Sequence, residues 1–280
     1  MGIVVGIDIG GSTTKIVGFD ENKEMLVPVQ ITASNALASL FGGFGKFLYD
    51  NKLELSDVAQ VNVTGVGSTE VDKPIYGLPT YKVDEFTANG LGGGYFANGK
   101  KEYIVVSMGT GSSYVGVKDG KPVHLGGIGI GGGTIIGLSK LMLSTNDIDK
   151  IIELASHGDI GNIDLRVGDI SAKPLPGLDL DVTASNFGKA SSRANCEDKA
   201  AGIIHMVIET ILQTAALIAI SRGFNDLIAI GNLTNFAGIE DVIKMITTIF
   251  PELNFIVPKD GEYATAIGAA LAEGCLKEIK

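Results

Sequence analysis

The hydrophobic positions of this chain follow two spacings, and the changes between them divide the sequence into short strands and longer helices. Residues 1–19 predict a strand, a tight turn and a returning strand, because Gly10-Gly11 separates two apolar runs. Further apolar runs predict strands at 25–31, 58–65, 81–83, 103–108, 114–117, 226–232 and 254–257.

Helices are predicted between these strands, where apolar residues recur at helical spacing. Leu37, Leu40 and Phe44 have this spacing in the first helix. The predicted helices cover 35–51, 86–96, 134–143, 147–155, 198–222, 239–250 and 262–279. Residues 163–167 predict a short extended piece, 173–180 a loop and 183–188 a turn. The succession of strands and helices predicts an α/β protein.

The first turn carries the parts of a phosphate clamp. Gly10 and Gly11 allow close approach of the backbone, and Ser12 adds a hydroxyl donor. Lys15 adds a positive charge, and Asp8 adds a carboxylate of the type that holds Mg²⁺. An ordinary hairpin can contain the same glycines, so this stretch alone leaves both interpretations open.

The same pattern recurs about a hundred residues later. Gly109-Thr110-Gly111-Ser112 lies between the strands predicted at 103–108 and 114–117. Two glycine and hydroxyl turns in the same strand context suggest an internal duplication, with two similar lobes that face each other across a nucleotide. We expect an N-terminal lobe at 1–100 and a C-terminal lobe with dimer helices at 101–280.

A glycine-rich segment at 125–133 formally contains the dinucleotide fingerprint GxGxxG. Residues 121–124 do not predict the buried parallel strand that this fingerprint requires, and no acidic residue ends a second strand at the expected distance. We therefore interpret the segment as a loop that opens a helix. Gly131 and Gly132 would then lie where N–H groups at the helix start face an anion or a substrate.

Composition restricts the partners of the chain. Its 280 residues are 45% hydrophobic and 19% charged, enough for one large packed domain or two medium ones. The net charge of −10 argues against nucleic-acid and anionic membrane surfaces. Residues 200–220 are strongly apolar, but a stripe of His205, Glu209 and Gln213 favours a core or dimer helix over a membrane span.

The two cysteines, Cys196 and Cys275, lie far apart and form no CxxC motif. Reduced thiols in a cytoplasmic protein are expected, and a zinc or iron–sulfur site within one chain is not. No signal-peptide pattern precedes the first strand.

Several short motifs occur in a fixed order along the chain. They are Asp8-Ile9-Gly10-Gly11-Ser12, Glu85-Phe86, Gly109-Thr110-Gly111-Ser112, the glycine loop 126–133, His157-Gly158-Asp159, Asn186-Phe187-Gly188, Ile230-Gly231-Asn232 and Ala266-Ile267-Gly268-Ala269. This order resembles the type II pantothenate kinases of the actin/hexokinase/Hsp70 superfamily over nearly the whole chain. The resemblance implies two actin-like (ribonuclease H-like) lobes, ATP with Mg²⁺ in the cleft, a homodimer, and phosphorylation of pantothenate in the first step of coenzyme A synthesis.

The resemblance also implies roles for the matching residues. Asp8 would hold Mg²⁺. The β- and γ-phosphates would be cradled by Gly10, Gly11, Ser12 and Lys15, and the second phosphate turn would be Gly109, Thr110, Gly111 and Ser112. Gly231, Asn232 and the segment from Ala264 to Gly268 would lie along the adenosine.

Glu85 resembles the family's catalytic carboxylate, which accepts the proton of the attacking hydroxyl. Phosphoryl transfer depends mostly on positioning and charge neutralisation, and it uses a carboxylate on the nucleophile. An alternative role for Glu85 is an acidic cap at a helix start, for which Asp84 competes.

His124 departs from the family pattern, which usually has an arginine just before the glycine loop. A histidine is mostly neutral at pH 7 and lacks the forked guanidinium. Lys121 or Arg166 could replace the arginine, the activity could be weaker, or the acceptor could differ. We keep His124 as a catalytic candidate and expect His157 and His205 to be structural.

Three other functions remain open on the sequence. One is a related kinase with another hydroxyl acceptor, which His124 favours. Another is an ATPase activator of a radical dehydratase with an iron–sulfur cluster between two subunits, for which Cys196 is the residue to inspect. The third is a non-catalytic nucleotide sensor. A sugar kinase with a zinc-binding cysteine cluster is disfavoured by the two scattered cysteines.

Overall fold

Two large sheets and one two-stranded sheet organise the chain in the computed structural model, which describes residues 2–32, 35–173, 179–191, 193–273 and 276–279. The first sheet contains β1 (Ile3–Ile9), β2 (Thr13–Phe19), β3 (Val29–Thr32), β4 (Val58–Thr64), β5 (Thr80–Lys82) and, from the end of the chain, β13 (Lys277–Glu278). The second contains β6 (Glu102–Met108), β7 (Ser112–Lys118), β8 (Lys121–Ile128), β11 (Asp226–Ile230) and β12 (Asn254–Ile256). The short pair is β9 (Leu165–Arg166) with β10 (Thr183–Ser185).

The two large sheets repeat one topology. Their strand orders are β13-β5-β4-β1-β2-β3 and β12-β11-β6-β7-β8. In each, the first hairpin is antiparallel, and the strand on the other side of its first member is parallel to it. The internal duplication suggested by the two turns is therefore present in the fold.

Eight α-helices lie in the described residues. They are α1 (Ala36–Asp50), α2 (Glu85–Tyr95), α3 (Gly132–Leu143), α4 (Ile148–Ser156), α5 (Val167–Ile170), α6 (Cys196–Arg222), α7 (Ile239–Ile249) and α8 (Ala264–Ala270). Asn35 and Asp147 cap α1 and α4 through side-chain oxygens that accept backbone N–H groups. Gly223, with φ of 72°, ends α6 as predicted.

The helix predicted at 262–279 is wrong in its length. Helix α8 ends at Ala270, and β13 follows and pairs with β5. Burial of Ile279 explains why the helix ends early. Pairing of β13 at the edge of the first sheet places this side chain in the hydrophobic core beneath that sheet, with Val5 and Ile7. The extended piece at 163–167 contains β9 and the start of α5, and the turn at 183–188 contains β10. The loop predicted at 173–180 falls largely outside the described residues.

The C-terminal segment lies against the first sheet. A Cβ on Gly6 of β1 would collide with the carbonyl oxygen of Ala266, so α8 lies directly on this sheet. Glycines also bring α2 against α8, since a Cβ on Gly92 would collide with the carbonyl oxygen of Ala264. The boundary at residue 100 stays a prediction, but α8 and β13 lie with the strands of the N-terminal range.

Helices cover both faces of the second sheet. One face packs on α6 and its neighbours in the largest core cluster, which includes Ile104, Val106 and Ile211. The opposite face, with Val105 and Val115, packs on Phe86 of α2. Helix α6 has the length and apolar composition of a membrane span, but half of its most apolar stretch is buried in the protein, as in a core helix.

Candidate active site

The first glycine turn lies at the edge of the first sheet where β1 ends. Asp8 is the cross-strand neighbour of Lys15 on β2 and of Thr64 on β4. The N–H of Gly10 donates to the carbonyl oxygen of Thr13 at 3.0 Å and closes the turn. Asp8 points to the same face as Gly6, because alternate residues of a strand share a face, and that face carries α8.

Burial shifts the pKa values of the two charged side chains beside this turn. The residue Lys15 is only 6% exposed, and burial lowers the pKa of its ammonium while Asp8 and Glu262 raise it. Burial also raises the pKa of Asp8, and Lys15 lowers it. Lys15 takes part in none of the ion pairs of the described chain. Its ammonium is therefore not tied to a protein carboxylate and is suited to an anionic ligand.

The second turn faces the first. The hydroxyls of Ser12 and Thr110 lie 3.3 Å apart, although 98 residues separate them in the chain. The hydroxyl of Ser112 donates to the carbonyl oxygen of Ile130 at 2.8 Å, which ties the turn to the glycine loop. The structure thus brings the two predicted phosphate turns together.

The glycine loop packs directly on the second turn. The N–H groups of Gly132 and Gly133 donate to the carbonyl oxygens of Gly109 and Thr110, at 2.8 and 2.9 Å. A Cβ on Gly131 would lie 2.5 Å from the carbonyl oxygen of Thr110 and 2.7 Å from that of Gly109. The start of α3 is therefore held beside the turn by backbone contacts that only glycine allows.

This packing predicts that Gly131→Ala weakens nucleotide binding. The added methyl must push the loop away from the second turn, and we expect the affinity for ATP to fall by about tenfold or more, as a 1–3 kcal/mol overpacking cost implies. Isothermal titration with ATP measures it. Gly129→Ala is the matched control, because a Cβ there meets no atom within 4 Å. Equal affinities of the two variants would contradict this role of Gly131.

Gly231 and Asn232 follow β11 at the corresponding edge of the second sheet. Gly231 has φ of 98°, and its N–H donates to the carbonyl oxygen of Gly261 at 3.1 Å. The amide nitrogen of Asn232 lies 3.5 Å from the hydroxyl oxygen of Thr13, so this residue touches the first turn from the second sheet.

Gly65 is the equivalent residue of the first sheet, and the sequence analysis missed it. It has φ of 82°, follows β4 and begins a short 3₁₀ helix, as Gly231 does after β11. A Cβ on it would collide with a carboxylate oxygen of Asp8. Comparison of the two strand ends, Thr64-Gly65 and Ile230-Gly231, could have revealed it.

Ala264 and Gly268 belong to α8. Both are buried in the crossing of α2 and α8, where a Cβ on Gly268 would collide with the carbonyl oxygen of Ala88. Their small size is explained by this helix contact. That they lie along the adenosine stays a prediction.

Glu85 is the first residue of α2, and Asp84 is the cap. Asp84 accepts the N–H groups of Phe86 and Thr87 at 3.1 and 3.0 Å, so the helix does not need Glu85 as a cap. Burial raises the pKa of Glu85, and the charges of Asp8 and Asp84 raise it further. Because the charge of Asp8 acts on Glu85, the two carboxylates lie within electrostatic reach of each other.

His124 contacts α2 at Phe86, the residue that follows Glu85 in the chain. Its ring stacks on Phe86, with 3.8 Å between ring centroids and an angle of 15° between planes. A register shift in the β7–β8 pairing leaves Leu125 as an extra residue, since Tyr114 pairs with Gly126 and Val115 with His124. Such bulges redirect side chains next to functional sites.

The other two histidines and Arg166 lie on or beside α4 and α6 and not at the two glycine turns. His157 ends α4, and His205 on α6 lies 3.8 Å from both Asp164 and Glu209. Arg166 lies near Asp159 and Asp181, at 3.9 and 3.8 Å. A cavity of about 770 Å³ adjoins Arg166 and His205 between α4, α6 and α7, and none of the sequence-predicted site residues lines it.

Asp8 fits a magnesium ion of the kind used with nucleotides. The described chain contains no group of three or more histidine, cysteine or acidic side chains arranged for a metal. Mg²⁺ in phosphate sites is commonly bound by one or two carboxylates, with waters and phosphate oxygens as the other ligands. The carboxylate of Asp8, at the phosphate turn and near Lys15, meets this requirement.

Comparison with solved structures identifies the class of fold. The activator of 2-hydroxyisocaproyl-CoA dehydratase from Clostridium difficile, solved with bound ADPNP, superposes with a TM-score of 0.68 over 96% of this chain and 93% of its own, at 17% identity. A ROK family glucokinase from Streptomyces griseus, in complex with glucose and AMPPNP, gives 0.59 over 96% and 98%, at 15% identity. The fold is that of the actin and hexokinase-like ATPases and kinases, with two similar lobes.

Sequence comparison identifies the family. The Fumble family profile matches residues 80–271. A type II pantothenate kinase of Bacillus anthracis is 30% identical over 278 residues, which cover 95% of this chain and 96% of the relative. One from Oceanobacillus iheyensis is 29% identical, over 96% and 98%. The chain belongs to the Fumble family of type II pantothenate kinases.

Proposed function

We propose that this protein is an ATP-dependent kinase that phosphorylates the primary hydroxyl of pantothenate. The observation that carries the proposal is the contact between the two phosphate turns at Ser12 and Thr110, with Glu85 within electrostatic reach of Asp8. The relatives named as pantothenate kinases, which match nearly the whole chain, support this acceptor.

The first and second turns bind the phosphates in this proposal. Lys15 contributes positive charge, and backbone N–H groups of both turns contribute donors. Mg²⁺ held by Asp8 would neutralise phosphate charge when bound. Gly231 and Asn232 lie next to the first turn from the opposite sheet, which supports a place for them beside the nucleoside.

Glu85 acts as the general base. The carboxylate accepts the proton of the acceptor hydroxyl as its oxygen attacks the γ-phosphorus, and the bond from phosphorus to the bridging oxygen of ADP breaks. Its position at the start of α2, next to Asp8, supports this role. His124 lines the acceptor side through its stack on Phe86.

A homodimer is part of the same proposal. Exposed apolar side chains on α3 and α6, namely Leu141, Leu217 and Ile220, support a covered face in an assembly. Light scattering that gives only the chain mass of 29.1 kDa at assay concentrations would contradict this part of the proposal.

A coupled ADP-release assay tests the function. With MgATP present, we expect addition of pantothenate to raise ADP release far above the rate without an acceptor. Binding of ATP with no acceptor-dependent release would instead indicate a nucleotide sensor. A brown protein with an iron–sulfur absorption band would favour the dehydratase-activator class, and Cys196 at the start of α6 would then be the first ligand to test.

A further inference from the structure

A buried hydroxyl group beside Asp8 has no hydrogen-bond partner among the described residues. Thr64 is the last residue of β4, and 0% of its surface is exposed. Its Oγ1 atom neither donates nor accepts a hydrogen bond there. A hydroxyl buried in this way has lost its hydrogen bonds to water, which costs free energy. An unpaired buried polar group of this kind needs an explanation.

The pairing of the first sheet shows to which face the Thr64 side chain points. Asn62, two residues earlier on β4, donates from its side-chain amide to the carbonyl oxygen of Ala269 at 2.8 Å, so its side chain points to α8. Alternate residues of a strand share a face, so Thr64 also points to the α8 face. It lies at the end of β4, directly before Gly65.

The strand pairing places one polar side chain next to this hydroxyl. Asp8 is the register partner of Thr64 in the parallel β1–β4 pair, and it points to the same face. On the β5 side, Val63 pairs with Lys82, so the residue opposite Thr64 is the buried and apolar Val83. The carboxylate of Asp8 is therefore the acceptor that the two flanking strands offer to Thr64.

The space around this carboxylate is narrow on its other sides. A Cβ on Gly65 would collide with Oδ1 of Asp8, and Lys15 is the neighbour of Asp8 on β2. Neighbouring strands lie about 4.8 Å apart, so rotation of the Asp8 side chain is enough to bring one carboxylate oxygen to Oγ1 of Thr64. Hydrogen bonds of this kind often tighten only when the ligand binds.

We propose that Thr64 is a positioning residue for Asp8: its hydroxyl donates to one carboxylate oxygen and fixes the orientation in which the other oxygen binds Mg²⁺. The inference rests on the proposed function, because it concerns the metal of the same nucleotide site. Carboxylates that bind metals are themselves held by hydrogen bonds, and loss of such a partner typically weakens metal binding by about 10–100-fold.

Binding of Mn²⁺ to the protein with ADP tests this role. Electron paramagnetic resonance measures the free ion, and a titration of ADP alone is subtracted. Thr64→Val keeps the shape of the side chain without its hydroxyl, so the Kd for Mn²⁺ should rise by about tenfold or more. Thr64→Ser keeps the hydroxyl and should retain the wild-type Kd. The affinity for ADP in EDTA should be the same in all three proteins, because Thr64 acts only through the metal.

Thermal unfolding without metal and nucleotide separates this role from a structural one. Thr64→Val removes a buried unpaired hydroxyl, so its unfolding midpoint should rise by about 2–4 °C. Thr80→Val on β5 is the matched control, because the buried Thr80 hydroxyl accepts the N–H of Ile75 at 3.0 Å and donates to the carbonyl oxygen of Leu78 at 2.9 Å. Its midpoint should fall, while its Kd for Mn²⁺ should match the wild type.

The outcomes separate this inference from the proposed function. A Thr64→Val protein with the wild-type Kd for Mn²⁺ overturns the inference and leaves the kinase assignment intact. A lower unfolding midpoint of Thr64→Val also overturns it, because the hydroxyl would then have a partner within the protein. Equal loss of Mn²⁺ affinity in Thr64→Ser has the same consequence. A wild type that binds no Mn²⁺ with ADP and releases no ADP with pantothenate overturns the proposed function as well.

Discussion

Replacing Glu85 with glutamine is expected to lower kcat by about 10²–10⁴-fold, because the amide cannot accept the hydroxyl proton. The KM for ATP should change little, since Glu85 lies at the start of α2 and not in either phosphate turn. Steady-state kinetics with saturating MgATP measures both. A Glu85→Gln enzyme with full activity would contradict the role of Glu85 as the base.

The pH profile gives an independent readout of the same residue. The base works when deprotonated, so activity is lost as pH falls through its pKa. Burial and the negative charges of Asp8 and Asp84 raise that pKa, so the loss begins at a higher pH than for an ordinary glutamate. Asp84→Asn is the matched control. Asparagine is an equally good helix cap, and removal of the charge should move the acid limb to lower pH while kcat stays similar.

Replacing Asp8 with asparagine is expected to lower kcat/KM for MgATP by about 10²–10³-fold, the size of effect seen when one electrostatic stabiliser is removed. The variant loses the only carboxylate placed directly opposite Lys15 in the β1–β2 pairing. Half-maximal activity should then require a higher Mg²⁺ concentration. Titration of activity against free Mg²⁺ at constant ATP measures this shift.

Asp20→Asn is the matched control, because it removes the same charge at the other end of the same β1–β2 hairpin. Asp20 follows β2 and accepts backbone N–H groups of Asn22 and Glu24 in an exposed turn. Asparagine keeps an accepting oxygen there, so the Mg²⁺ dependence should match the wild type. An unchanged Mg²⁺ requirement in Asp8→Asn would show that the metal is held elsewhere.

Local patterns were sufficient for most strands and helices. The first hairpin, the helix over residues 36–50 and the long helix ending at Gly223 carry their own signals in apolar spacing, caps and glycine stops. The repeat of the glycine and hydroxyl turn also predicted two similar lobes that face each other, which agrees with the repeated sheet topology. For the strands and helices themselves, residues close together in the sequence determine the structure.

Features that depend on distant segments could not be predicted in this way. Helix α8 is short because the chain after it returns to pair with β5. Position 268 requires a glycine because α2 crosses α8 there. Likewise, the stack of His124 on Phe86 depends on one extra residue in the β7–β8 pairing. The spacing of apolar residues along the sequence does not show which distant element packs against them.

The most direct test of the account is identification of the product by phosphorus NMR after incubation of the protein with MgATP and pantothenate. The account predicts a new phosphomonoester signal that grows with the ADP signals and depends on both pantothenate and Glu85. Formation of ADP and inorganic phosphate alone, with no phosphomonoester of pantothenate, would contradict it.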